Sequence, residues 1–180
     1  MHKKQTEVNS AASAPSVVKE HDMRTLILGL GNPILGDDSV GLKVAEGVRQ
    51  RLSADPDIEV DVDYWGGLRL MERLIGYDRA IIIDAICTGN HPAGTLLHLG
   101  PNDLPTQHTA SAHDVNLPTA LQLATSMGLT IPQEITIIAI EAEKVLDFGE
   151  GLTEAVAAAV PAAIEAVVEA VHSSCASQSA

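Results

Sequence analysis

The sequence predicts an α/β protein with a mixed, mainly parallel five-stranded sheet and helices on both faces. Three observations lead there. Short apolar runs of strand length alternate along the chain with segments whose apolar residues recur at helical spacing. Hydrophobic residues make up 46% but aromatic residues only 2%, so the core must be built from Ile, Leu, Val and Ala, as in a sheet covered by helices. Finally, residues 25–41 (TLILGLGNPILGDDSVG) run from an apolar strand through a glycine turn into a helix. They deliver two adjacent acids, Asp37 and Asp38, to the carboxyl end of a strand, where ligands sit in open α/β sheets.

In chain order, Leu26 to Leu28 form a buried strand, Gly29 to Pro33 a turn, and Val40, Val44 and Val48 mark a helical stripe. Residues 58–62 (IEVDV) alternate apolar and acidic, predicting a strand with one exposed face. Residues 68–75 have helical periodicity, closed by Gly76 at a C-cap position. Residues 79–86 (RAIIIDAI) are the most apolar strand, interrupted by Asp84, a carboxylate costly to bury unless paired, hydrogen-bonded or bound to a cation. Residues 94–99 (GTLLHL) predict a further strand, antiparallel to its neighbour because the connection before it is too short for a helix. A polar loop over 101–112 precedes Ser111-Ala112-His113-Asp114, which opens a helix that tolerates Pro118 early and ends at Gly128. Residues 134–140 (EITIIAI) are the last strand. After a loop, Thr153 caps a closing helical segment, which Pro161 is expected to kink or split.

The 180 residues suit one domain. We place it at 23–172, with a flexible extension over 1–22, an alternative start at Met23, and a frayed tail over 173–180. The formal charge of −13 repels phosphate backbones and argues against nucleic acid, favouring a protein or a cation as partner. Cys87 and Cys175 match no zinc spacing and indicate no disulfide scaffold, so a reducing cytoplasm is expected. No apolar run is expected to reach the length of a membrane span, residues 11–18 make a poor signal-peptide core, and a monomer is expected.

Three chemistries can be weighed. A dinucleotide site is poorly supported: Gly29 and Gly31 begin a G-x-G-x-x-G pattern, but Ile34 stands at its third glycine and the two aspartates oppose a pyrophosphate. Nucleophilic hydrolysis lacks a G-x-S-x-G elbow. Ser39 reads as a helix-start residue and Cys87 as a small buried residue at a strand end. Metal coordination fares better, because Asp38, Asp84 and His113 follow different elements and can all project from one sheet edge. Two carboxylates and an imidazole suit divalent nickel, zinc or iron. The other histidines are weaker candidates: His2, His21 and His172 lie in tails, His91, His98 and His108 in turns or on a strand.

GLGNPILGDDSVG, IIIDAI, SAHDV and IEAEKVLDFGEGLTEAVAAAVP together resemble the maturation endopeptidases of nickel-iron hydrogenases, over residues 24–171. The resemblance implies a three-layer α/β/α sandwich of the phosphorylase/hydrolase-like kind. It also implies an endopeptidase that removes the C-terminal extension of the hydrogenase large-subunit precursor after nickel insertion. It carries the family's three nickel-contacting positions onto Asp38, Asp84 and His113, with the nickel supplied by the precursor and Asp38 or Asp84 as the base that activates water. Some members have glutamate where Asp38 stands, and Ser39 replaces a glycine often found after the acids. A second resemblance, of GLGNP to bacterial peptidyl-tRNA hydrolases, lacks their T-R-H-N segment and meets a charge hostile to tRNA. A non-catalytic nickel-binding assembly chaperone is the remaining alternative.

Overall fold

β1, Thr25–Leu30, is buried along its whole length because it has strands on both sides and helices on both faces. The computed structural model describes residues 23–64, 68–103, 117–149 and 151–175. After β1 come a single 3-10 turn (Gly36–Ser39), α1 (Val40–Leu52), β2 (Ile58–Asp63), α2 (Leu68–Leu74), β3 (Arg79–Ile86), β4 (Leu96–Leu99), α3 (Leu117–Ser126), β5 (Glu134–Glu141) and α4 (Glu154–Cys175). The sheet order is β2-β1-β3-β5-β4, parallel except for β4.

This order has a physical consequence. The chain leaves β1 through α1 to β2 on one side, then returns through α2 to β3 on the other side of β1. Right-handed crossovers running in opposite directions place their helices on opposite faces. Accordingly α1 and α4 pack with Ile27, Ile81, Ile83 and Ile138 on one face, while α2 and α3 cover Leu26, Leu28, Ile82 and Ile137 on the other. The three layers match the expected sandwich. The reversal of strand order lies between β1 and β3, the switch point at which such sheets open a crevice.

Glycines bring α1 down onto that point. A Cβ on Gly41 would collide with the carbonyl oxygens of Leu30 and Ile83, and one on Gly29 with the backbone of Gly41 and the side chain of Ala45. The first turn of α1 therefore rests backbone to backbone on β1 and β3. At the opposite edge Arg79, 3% exposed, opens β3 by donating to the carbonyl oxygens of Ala170 and Val171 in α4 and pairing with Glu134 at 3.3 Å.

Several expectations need correction. β4 is antiparallel as expected, but its partner is β5 rather than the preceding β3, because β5 inserts between them. α4 is one continuous helix through Pro161. The proline ring lies on the exposed face, where water can satisfy the carbonyl it leaves without a donor. The helix also runs on to Cys175, into the tail expected to fray. By length and composition α4 is apolar enough to cross a membrane, contrary to the expectation that no run is. Its stripe of Val156, Ala159, Ala163 and Val167 is buried in the core, the mark of a layer helix. Residues 1–22 and 104–116 lie outside the described residues, as do 176–180.

Gly41→Ala should cost about 2 kcal/mol or more, since the added methyl meets backbone that cannot yield. Urea unfolding measures it, and a loss below about 0.5 kcal/mol, within the usual range for a neutral surface change, would contradict the packing described.

Candidate functional site

The site is built where β1 and β3 run side by side. Gly29 is in register with Ile83, so the end of β1 lies level with Asp84. Asp84 sits between Ile83 and Ala85, which face α1 and α4, and is flanked at one residue further by Ile82 and Ile86, which face α2 and α3. By strand alternation its side chain belongs to the α2/α3 face. Its Oδ1 accepts the Ala85 amide at 2.8 Å. Asp38 lies in the 3-10 turn after β1 and is 2% exposed. Its Oδ2 accepts the amide of Asn32 at 2.8 Å, and its own amide donates to Leu35 O at 2.8 Å. Gly31, at φ +147°, lets the glycine turn pass against the Asp38 carbonyl, where a Cβ would clash. Each carboxylate thus has one oxygen fixed by a backbone amide, which orients the group.

His113 lies outside the described residues. Leu117, the first residue of α3, is buried against the same cluster as Ile82 and Ile86 on either side of Asp84, so α3 begins on the Asp84 face. Among the described residues no three His, Cys, Asp or Glu side chains gather as a metal site. Two of the three expected donors stand at one sheet edge, and their carboxylate chemistry suits a divalent cation.

Asp37 bonds to a segment far from it along the chain. It is 0% exposed, and its carboxylate gathers the loop that connects β5 to α4. Oδ1 accepts the Thr153 amide at 2.7 Å, and Oδ2 accepts the Thr153 hydroxyl at 3.1 Å and the Lys144 amide at 3.2 Å. The Thr153 hydroxyl, expected to cap α4, is spent on Asp37 instead. Gly36 and Gly149 complete the seam through the bonds Gly36 N to Gly149 O (2.9 Å) and Gly149 N to Ile34 O (3.0 Å). The stretches GLGNPILGDDSVG and VLDFGEGLT are therefore parts of one hydrogen-bonded structure.

Two further acids lie at the same edge. Asp63 ends β2 and is 3% exposed, with Arg69 Nε at 3.1 Å and the Tyr64 amide at 2.7 Å. The alternation over 58–62 stops short of this residue, and α2 with Arg69 and Arg73 covers that end of the strand. Glu141 ends β5, buried, and accepts the Thr88 amide and hydroxyl and the Gly89 amide, each at 2.8 Å. The parallel strands β2, β3 and β5 each carry a carboxylate in or at their C-terminal ends, and β1 delivers its pair in the following turn. Such a row concentrates negative potential and favours cations. The nucleophile candidates are accounted for structurally. Ser39 Oγ donates to Gly36 O at 2.7 Å. Burial, helped by the charges of Glu141 and Glu143, raises the Cys87 thiol above its ordinary pKa, leaving it less thiolate than free cysteine.

Comparison with known proteins decides the family. A model described as hydrogenase maturation protease matches residues 42–170, most of the chain. The chain belongs to the hydrogenase maturation protease family. The matched span contains Asp84 and His113 and begins just after Asp38. Hydrogenase 2 maturation protease of Escherichia coli K12 is 30% identical over 138 residues, 76% of this chain and 83% of its own. The solved structure of the hydrogenase maturating endopeptidase HybD from E. coli superposes with a TM-score of 0.71 at 28% identity, covering 84% of this chain and 94% of that one. The [NiFe] hydrogenase maturation protease HybD from Thermococcus kodakarensis gives 0.63 at 27% identity, covering 82% and 98%. This family member is a peptidase with the three-layer fold expected from its sequence.

Removing the Asp37 carboxylate as Asp37→Ala should leave buried amides unpaired, cost about 2–4 kcal/mol and expose residues 143–149 to limited proteolysis. An unchanged digestion pattern would contradict the clamp. Alkylation at Cys87, followed by peptide mass spectrometry, should be slower than at free cysteine of the same pH and accelerate only as pH rises beyond the usual thiol range.

Proposed function

We propose that this protease removes the C-terminal extension of a nickel-iron hydrogenase large-subunit precursor after nickel has been inserted, and that the precursor's own nickel is its recognition element. The observation that carries the reading is the placement of Asp38 and Asp84 at the β1/β3 switch point, each oriented by a backbone amide. Supporting it, the nucleophile candidates among the described residues are committed elsewhere: Ser39 to Gly36, and Cys87 to a raised pKa. A divalent metal held by the precursor belongs to the substrate and polarises a peptide carbonyl beside it. Asp38, Asp84 and His113 contact that metal and so seat the scissile region. Asp38 or Asp84, as base, takes the proton of the attacking water. The enzyme is aspartic and metal-dependent in type, acts as a monomer in the cytoplasm, and engages neither nucleic acid nor membrane. The free Cys87 thiol and the charge of −13 support the compartment and the exclusion of nucleic acid.

The test is mass spectrometry of purified precursor before and after incubation. Nickel-loaded precursor should lose its extension and nickel-free precursor should not; equal cleavage of both sinks the recognition role. Asp38→Asn, Asp84→Asn and His113→Ala should each slow processing by about a hundredfold or more with the circular-dichroism spectrum kept. Asp38→Asn retains the oxygen that accepts the Asn32 amide, so its loss reports on charge rather than on folding.

A further inference from the structure

The loop that Asp37 clamps carries an apolar surface no step above uses. Phe148, the chain's single phenylalanine, is 83% exposed, Leu146 64% and Ile34 55%. These residues are held in place. Ala142 and Val145 of the same loop are buried in the core, Lys144 and Thr153 are bonded to Asp37, and Leu35 forms a parallel bridge with Gly149. Ile34 and Phe148 stand one step before that bridge on its two segments, and the Gly149 amide donates to Ile34 O at 3.0 Å, which holds the two segments side by side. A large aromatic side chain exposed on rigid backbone has little ordering entropy left to lose on binding, the condition for an interface anchor.

Resting on the function proposed above, we propose that Ile34, Leu146 and Phe148 are the docking anchor for the hydrogenase large-subunit precursor, which they seat through an apolar segment flanked by basic residues. Continuity with the site identifies the occupant. Leu35, which bridges to Gly149, also accepts the amide of Asp38 at 2.8 Å, so a substrate engaged at Asp38 runs directly onto this surface. Charge specifies the flanks: among the described residues of the loop and the start of α4, Glu143, Asp147 and Glu154 are exposed beside Lys144, and Glu46 stands with Lys43 along the groove beyond Pro33, giving an apolar centre with a mainly acidic rim. Charge also argues against a second copy of this chain, whose net charge of −13 would set like against like at the acidic rim. Three side chains cover on the order of a few hundred Å², less than the roughly 800 Å² per partner of a stable interface. The patch suits one anchor within a contact that continues over the acidic edge.

The experiment compares wild type, Phe148→Ser, Phe148→Leu and Met127→Ser in processing nickel-loaded precursor, with KM and kcat separated. Binding of the purified precursor is measured in parallel. Met127, 60% exposed beyond α3, is the control for an exposed apolar side chain elsewhere. Phe148→Ser should raise KM and the dissociation constant at least tenfold while kcat is kept, Phe148→Leu should restore most of the affinity, and Met127→Ser should match wild type. Rising ionic strength should weaken wild-type binding. Unchanged KM and binding in Phe148→Ser overturn the proposal, as does an equal loss in Met127→Ser. A dimer in wild type that Phe148→Ser dissolves overturns it in favour of self-association. If wild type leaves the nickel-loaded precursor uncut, the peptidase reading fails instead, and the binding measurement decides the docking surface by itself.

Discussion

The buried carboxylate of Asp37 is the interaction on which the rest depends. It lies between the strand-turn-helix unit and the loop before α4, segments joined among the described residues by the Leu35–Gly149 bridge. An aspartate with no exposed surface is tolerable only where hydrogen-bond donors replace water. Here the donors are backbone amides and a hydroxyl from a segment more than 100 residues away. The loop in turn holds the 3-10 turn, through Lys144 O accepting the Asp37 amide and Gly149 O accepting that of Gly36. Asp38, the next residue, inherits its position from this exchange. One acid orders the scaffold and so sets the place of its neighbour, the residue proposed above to meet the substrate.

A second constraint is the close approach of α1 to the sheet. Gly29, Gly31 and Gly41 each occupy a place where a Cβ would strike backbone. They resemble a nucleotide-binding pattern because both designs need backbone close to backbone at a strand-to-helix turn. The difference is charge. A pyrophosphate needs exposed amides and no anions, whereas here the Asn32 amide is given to Asp38 and the neighbouring strands bring Asp63, Asp84 and Glu141. The same turn geometry suits an anion or a cation according to the charges that stand at the helix start.

The acids at this edge divide by their partners. Asp63 is matched to Arg69, Glu141 to the 88–89 turn and Asp37 to the loop, so these three act on the fold. Asp38 and Asp84 each accept a nearby backbone amide, from Asn32 and from Ala85, and they flank the switch point. The division could not be read from residue type, since all five are carboxylates near strand ends. It follows from which cationic or amide groups the tertiary structure brings near.

The sequence by itself determined the element order, the aliphatic core and the strand ends at which Asp38 and Asp84 would stand. These rest on periodicity and turn chemistry, which act between residues a few positions apart. The helix over 68–74 and its closing Gly76 at φ +85° were legible for that reason. Only the tertiary structure decided that β4 pairs with β5, that Asp63 is buried beneath α2, that Pro161 interrupts nothing, and that Asp37 and Thr153, 116 residues apart, are bonded. It also turned Val145 inward and Phe148 outward within one loop, a choice that local hydrophobicity does not make. Such pairings depend on which surfaces meet once the sheet has closed, and no spacing along the chain encodes that meeting.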